Sequence, residues 1–236
     1  MDKLSISVFF PTYNEEKNIE PLVLHTVDTL ERLVQKWEII IVDDGSRDRT
    51  PEIAQALSKK IAGIRHVRHD KNRGYGGAVK TGLREAKLDW IFFTDGDGQF
   101  DVAELELMIP STQTADMIVG YRINRQDPFM RKVNAFAWGT LVRTLFSLHG
   151  KVRDIDCAFK LFHRRVVDKC LFKAEGAMIS TELLVRANKL GYRFCEVGVH
   201  HYSRKTGKQT GANPLVILRA FKELFFLYGE LHHFDT

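Results

Sequence analysis

Short apolar runs rich in β-branched and aromatic residues recur along the first half of the chain, at Ser5–Phe10, Trp37–Val42, Ile64–Val67, Trp90–Thr94 and Met117–Val119, with helical patterns between them. Pro51 opens one such helix after the polar Ser46 to Thr50, and Gly74 to Gly77 lead into another over Ala78 to Ala86. Alternation of this kind predicts an α/β fold: a mostly parallel central sheet, right-handed crossovers and flanking helices. Beyond Tyr121 the rhythm is lost. Helical patterns over roughly Phe129–Leu148 and Ser180–Leu190 flank a strand-like Ala158–His163, and Pro214 opens a last helix reaching about Tyr228.

Ligands of such sheets gather beyond the carboxyl ends of the strands. Here those places hold Pro11-Thr12-Tyr13-Asn14-Glu15 after the first strand, Asp43-Asp44-Gly45-Ser46 after the second and Asp95-Gly96-Asp97-Gly98-Gln99 after the fourth. Asp95 and Asp97, two residues apart at a strand end, can hold a hard cation against a diphosphate, with Gln99 adding a neutral oxygen. The glycines let phosphates approach the backbone closely. An acidic turn is the plainer reading of Asp95 to Gly98, since Asp and Gly are ordinary turn residues. The acidic segment at the equivalent place after strand two makes coincidence a poorer account. There one carboxylate can accept hydrogen bonds from a base or ribose, while the other serves as a turn or cap former with Ser46.

The 236 residues suffice for one substantial core, and 44% hydrophobic residues with 16 Phe supply the apolar area for it. A formal charge of +5 suits an anionic partner without choosing among nucleotide, lipid phosphate and nucleic acid. Nucleic acid has only that charge behind it and is not an expected partner. Three cysteines, Cys157, Cys170 and Cys195, have no metal-ligand spacing and read as small buried hydrophobes of a reducing compartment. The N-terminal residues lack the apolar core of a signal peptide, and the C-terminal apolar stretch is broken by Arg219, Lys222 and Glu223. A cytoplasmic location is therefore expected.

The ordered set Pro-Thr-Tyr-Asn-Glu, Val-Asp-Asp-Gly-Ser, Asn72-Arg73-Gly74-Tyr75-Gly76 and Asp-Gly-Asp-Gly-Gln-Phe resembles family 2 glycosyltransferases, particularly the dolichol-phosphate mannosyltransferase-like branch. The resemblance runs on through Val119-Gly120-Tyr121-Arg122, Asp154-Ile155-Asp156-Cys157-Ala158-Phe159-Lys160, Glu182 and Glu196-Val197-Gly198-Val199 to Arg204. It implies a Rossmann-like nucleotide-diphospho-sugar transferase (GT-A) domain over 1–212, with a nucleotide-sugar-binding half at 1–121 and an acceptor-side half at 122–212. An amphipathic helix and tail follow at 213–236.

By the same resemblance Pro11, Tyr13 and Glu15, with Val42 and Asp44, bracket the nucleotide, and Asp95 with Gly96 lies beside ribose and diphosphate. Asp97 and Gln99 hold Mg²⁺ or Mn²⁺. Arg122, Arg131, Arg204 and Lys208 match basic positions aimed at donor or acceptor phosphates, with Asp97, Arg122 and Arg204 closest to the chemistry. The implied reaction is inverting transfer of a hexose from a GDP- or UDP-sugar to a polyprenyl phosphate at a membrane surface. A phosphate acceptor is already nucleophilic near neutrality, whereas a hydroxyl acceptor needs a base, for which Asp154, Asp156 and Glu182 are the candidates.

This chain departs from the family pattern at Cys157-Ala158, where Ser-Gly is common, at Gln209-Thr210, where Ser-Lys is common, and in lacking C-terminal membrane spans. No Gln-x-x-Arg-Trp segment of the processive synthases is present, so a single transfer is expected. Extension of a saccharide or lipid-linked glycan is the second enzymatic reading, and a nucleotide-sugar-binding protein the non-enzymatic one. The Gly74 to Gly77 stretch lacks the spacing of a phosphate loop and reads as the start of a helix packed closely on the sheet. His200 and His201, adjacent after a strand, point opposite ways, so at most one serves the site. The helix from Pro214 either lies in a membrane interface or packs on protein, and the oligomeric state is open.

Overall fold

A computed structural model describes residues 4–123, 129–203 and 214–232. Its seven strands, β1 (Ser5–Thr12), β2 (Lys36–Asp43), β3 (Ile64–Arg68), β4 (Trp90–Phe93), β5 (Met117–Ile123), β6 (Lys160–His163) and β7 (Phe194–His200), form one sheet in the order β3-β2-β1-β4-β6-β5-β7. Among them β6 alone runs against its neighbours β4 and β5, so the sheet is mostly parallel, as the alternation predicts. The helices are α1 (Ile19–Leu33), α2 (Thr50–Lys60), α3 (Tyr75–Glu85), the single turn α4 (Leu105–Met108), α5 (Phe129–Leu145), the short α6 (Arg165–Asp168), α7 (Met178–Lys189) and α8 (Pro214–His232).

After β1 the chain moves outward through β2 to β3, then returns to place β4 on the other side of β1. That reversal falls at the carboxyl ends of β1 and β4, the place where open α/β sheets bind ligands. The central strands are buried on both faces, which is why they read as continuous apolar runs: Ile6, Val8, Phe9 and Phe10 of β1 and Ile91, Phe92 and Phe93 of β4 are all fully inaccessible. The phenylalanines carry much of the packing. Phe9 stacks on Phe93 at 5.2 Å between centroids, and Phe92 meets Phe159 edge-on at 4.7 Å. Helix α3 lies so close on β1 that a Cβ at Gly82 would collide with the Phe9 ring. The tight helix–sheet packing expected after Gly74 is thus observed.

Several boundaries differ from the sequence reading, among them the end of α8, which runs to His232 rather than Tyr228. Strand β5 continues past Val119 to Ile123 because it pairs in parallel with β7 as far as His200, a partner that the apolar run itself does not reveal. Helix α5 stops at Leu145 rather than Leu148, where the chain turns at Ser147 with φ 52°. Helix α8 packs on the domain through Leu224 and Leu227, with Tyr228 set edge-on to Phe146 at 6.0 Å.

Candidate active site

The ends of β1 and β2 are stitched into one rim. Thr12 Oγ1 donates to Val42 O at 3.0 Å, and the Asp44 N–H donates to Thr12 O at 2.9 Å. Asn14, held at φ 58°, donates its N–H to Ser46 Oγ at 2.9 Å and accepts from the Arg47 N–H at 2.8 Å. Glu15 is nearly buried, with its N–H on Thr50 Oγ1 at 2.8 Å and its carboxylate accepting from Asn18 Nδ2 at 2.6 Å. Pro11 and Val42 line the floor as partners across the sheet, while Tyr13 stands exposed above them.

The two adjacent aspartates have separate tasks. Asp43 accepts the Ser46 N–H at 2.9 Å and faces Arg68 Nε at 3.3 Å, so it is the turn former. Burial would raise its pKa, but contact with His66 and Ser46 outweighs burial and holds it below the usual carboxylate value. Asp44 points the other way. Its Oδ1 accepts from the Arg73 N–H at 2.8 Å and lies 2.7 Å from His69 Nδ1, whose other ring nitrogen meets Thr81 Oγ1 at 2.9 Å. These contacts fix the carboxylate through Oδ1.

Beyond β4, Gly96 presses against β1: a Cβ there would sit 2.6 Å from Thr12 Cγ2 and 3.1 Å from Pro11 O. Only glycine lets the acidic loop lie flush on the end of β1. Asp95 is partly buried and accepts from the Tyr75 hydroxyl at 2.9 Å. Burial first, and then the charge of Asp97, push Asp95 up to about 7 against the opposing pull of Tyr75, Lys160 and Arg122. Burial and the same two carboxylates hold the Tyr75 phenol well above its ordinary value, so it is a neutral donor. Asp97 accepts the Gln99 N–H at 3.0 Å. Gln99 in turn gives its side-chain NH₂ to Tyr202 O at 2.9 Å, which turns its amide oxygen free of that bond. The loop is pinned from the β7 side as well, since the Tyr202 N–H donates to Gln99 O at 2.8 Å.

Two neighbouring part-buried carboxylates that repel each other are a fitting seat for a hard divalent cation, because the ion would relieve the repulsion and all donors are oxygens. Among the described residues no cluster of three or more His, Cys, Asp or Glu side chains is arranged to hold a metal by itself. The side-chain oxygens that would face such an ion are those of Asp97 and Gln99, with Asp95 beside them, and phosphate and water oxygens would supply the rest.

Near the end of β5 Arg122 is held by Asp154 through Nε at 2.7 Å and Nη2 at 2.8 Å, and burial does not prevent this partner from raising its pKa. Glu182 is consumed by structure: it accepts from the Lys173 and Ala174 N–H groups at 3.0 and 2.8 Å and from Arg186 at 2.7 Å. Asp154 and Glu182 are therefore held in ion pairs, and Asp156 lies on the exposed side of its segment. His200 engages the Glu104 carboxylate, while His201 packs on Phe100 with ring centroids 4.9 Å apart, so the pair does diverge. Arg131 is carried by α5. Arg204 and Lys208 lie outside the described residues.

Sequence reasoning missed three side chains. Tyr75 lies within the Asn72 to Gly76 segment, but nothing in the spacing shows that its hydroxyl reaches Asp95. Lys160 closes the Asp154 to Lys160 segment and is fully buried, its ammonium donating to Ser180 Oγ at 2.7 Å and to the carbonyls of Ile155 and Cys157. Burial lowers its pKa. His69, which orients Asp44, has no signal in the sequence beyond its place after β3. Cys157 is inert, buried with its thiol pushed up to about 12.

A mostly parallel sheet whose strand order reverses beside β1, with a paired-carboxylate loop at the reversal, places the molecule among the open α/β folds whose ligands gather at that point. Residues 7–171 match the profile of Glycosyl transferase family 2, and the chain belongs to that family. Glycosyltransferase AglD of Haloferax volcanii is 34% identical over 206 residues, 83% of this chain and 33% of that protein. An undecaprenyl-phosphate 4-deoxy-4-formamido-L-arabinose transferase of Pectobacterium carotovorum is 30% identical over 208 residues, 87% of this chain and 62% of that protein. The chain thus spans from a third to just under two thirds of the length of these relatives. Among solved structures, glucosyl-3-phosphoglycerate synthase from Mycobacterium tuberculosis in complex with Mn²⁺, uridine diphosphate and phosphoglyceric acid aligns with a TM-score of 0.74. That alignment covers 96% of this chain and 79% of the synthase at 21% identity, and the shared fold is GT-A.

Proposed function

We propose that this chain transfers a hexose, with inversion, from a GDP- or UDP-linked sugar to a polyprenyl phosphate at the cytoplasmic face of a membrane. The observation that carries this reading is the half-buried Asp95–Asp97 pair at the sheet's reversal, with Asp95 raised to about 7, next to a nucleoside rim whose Asp44 is already oriented. Pro11, Tyr13, Glu15, Val42 and Asp44 surround the nucleoside. Asp95 and Gly96 lie beside the ribose and diphosphate, and Asp97 with Gln99 would hold Mg²⁺ or Mn²⁺. When bound, that ion offsets the charge developing on the departing nucleoside diphosphate. Arg122, steered by Asp154, reaches phosphate oxygens with its remaining N–H groups, and Arg131, Arg204 and Lys208 complete the basic side.

The commitment of Asp154 and Glu182 to ion pairs favours a phosphate acceptor over a sugar hydroxyl, because the phosphate dianion attacks without a strong base. The Pectobacterium carotovorum relative, an undecaprenyl-phosphate transferase, supports the same choice. No helix among the described residues is long and apolar enough to cross a membrane. Exposed Phe136 of α5 and Phe221, Phe225 and Phe226 of α8 instead offer an aromatic face for peripheral contact, with α5 and α8 joined where Trp138 meets Phe221 at 5.2 Å. The test is sugar transfer to polyprenyl phosphate from a panel of GDP- and UDP-sugars, with Mn²⁺ and with EDTA. Metal-dependent transfer to the lipid phosphate is expected, and transfer only to saccharide acceptors would refute the acceptor assignment.

A further inference from the structure

The N-terminus of α3 carries more than a close helix–sheet contact. Tyr75, its first residue, reaches across to Asp95 with its hydroxyl at 2.9 Å. The next residue, Gly76, donates its N–H to Glu175 O at 3.1 Å, and a Cβ at Gly76 would stand 2.6 Å from that same oxygen. The backbone of Glu175 therefore fixes how far α3 extends toward the acidic loop.

That backbone is itself clamped. The N–H groups of Lys173 and Ala174 both end on the buried Glu182 carboxylate of α7. Lys173 Nζ pairs with Glu230 of α8 at 3.1 Å, and the Glu175 N–H faces Glu223 of α8 at 3.4 Å. A continuous path of short contacts thus runs from α7 and α8 through residues 173–175 to the start of α3 and on to Asp95.

We propose that Tyr75 is a positioning residue that holds the Asp95 carboxylate in place for the donor, and that the 173–175 segment sets where Tyr75 stands. The inference rests on the donor-site reading of Asp95 given above. Asp95 lies next to a like-charged Asp97, so without the hydroxyl its carboxylate would swing away from its neighbour, and the donor would have to draw it back on binding. The C-terminal helix, by bracing the segment, becomes part of the donor site from a distance.

The test uses the full chain, with UDP and GDP each in the presence of Mn²⁺ as calorimetric probes, on the wild type, Tyr75→Phe, Asp95→Asn and the double variant. Tyr75→Phe keeps the ring and removes one charge-assisted hydrogen bond, so it should weaken nucleotide binding roughly tenfold with an unchanged melting temperature. In the Asp95→Asn background the same substitution should have little further effect, because Tyr75 acts through that carboxylate. Gly76→Ala, which pushes α3 off Glu175, should weaken binding at least as much as Tyr75→Phe. Full affinity in Tyr75→Phe, or an equal loss in both Asp95 backgrounds, overturns the proposal while leaving the donor site intact. Failure of the wild type to bind either nucleotide overturns the donor-site reading and this inference with it.

Discussion

Arg122 and Asp154 form a two-pronged ion pair, 2.7 Å from Nε to Oδ2 and 2.8 Å from Nη2 to Oδ1, with both side chains largely withdrawn from water. The pair joins the end of β5 to the segment before β6. It also brings a fixed positive charge near enough to Asp95 to lower that group's pKa.

A buried pair of this kind is costly to break from one side only. Asp154→Ala should destabilise the fold by about 3 kcal/mol in urea titrations, because Arg122 is left charged and unpaired. The double variant Arg122→Met with Asp154→Leu should lose much less than the two single losses added together. Additive losses would mean that the two side chains are not coupled in solution.

Asp97→Ala should abolish the Mn²⁺-dependent rise in melting temperature caused by nucleoside diphosphate and leave the ligand-free melting temperature unchanged, since Asp97 sits in a surface loop. Asp44→Ala should instead raise the donor KM about tenfold with little change in turnover at saturating donor, because its partner is the nucleoside and not the bond that breaks. Retained metal response in the first variant, or a pure turnover defect in the second, would reverse the assignments.

The reach of the sequence reading follows from what each signal depends on. Strand positions and the polar segments at their ends depend on local patterning, so the rim at Thr12, Asp44 and Gly96 was legible before any coordinates. The division of labour between Asp43 and Asp44 was not, because it turns on Arg68, His69 and Arg73, which arrive from β3 and its following loop. Nor could spacing show that Glu182 is spent on the Lys173 and Ala174 N–H groups and Arg186. A carboxylate looks the same in sequence whether it faces substrate or satisfies a buried loop. Strand β6 appeared as an apolar run, yet its reversed direction depends on the long excursion through α5, which no local pattern encodes.

Asp116 offers a test of pH-dependent stability away from the site. Burial raises its pKa, but the Arg193 N–H at 2.9 Å and the side chains of Arg165 and Arg193 more than compensate, so the folded value lies below the ordinary one. A depressed folded pKa means stability that is fully present above the unfolded value of about 3.9 and is lost as pH falls through the lower folded value. Asp116→Asn should therefore melt below the wild type at pH 7. The gap should narrow as the pH drops from about 4 downward. A gap independent of pH in that range would show that packing, not charge, is what the substitution removes.

Helix α8 presents two faces, and the last prediction separates them. Leu224 is fully buried and Leu227 nearly so, whereas Phe225 is 70% and Phe226 60% exposed. The helix is thus docked on the protein and still carries two outward rings, so docking and membrane contact are not alternatives. Leu224→Asp puts a carboxylate into the packed face and should destabilise the fold by several kcal/mol, read as a large drop in melting temperature. Phe225→Asp and Phe226→Asp alter only the outer face and should leave the melting temperature nearly unchanged. In flotation with mixed phosphatidylcholine and phosphatidylglycerol vesicles, the wild type should rise with the lipid, more strongly at low salt because Lys222 and Lys173 stand beside the exposed rings. The two Asp variants should stay behind with the soluble fraction while still binding nucleotide, since the outer face does not touch the donor site. If they float as well as the wild type, the rings do not enter the bilayer and the membrane-surface part of the proposed function fails, whereas the nucleotide chemistry at Asp95 and Asp97 stands untouched.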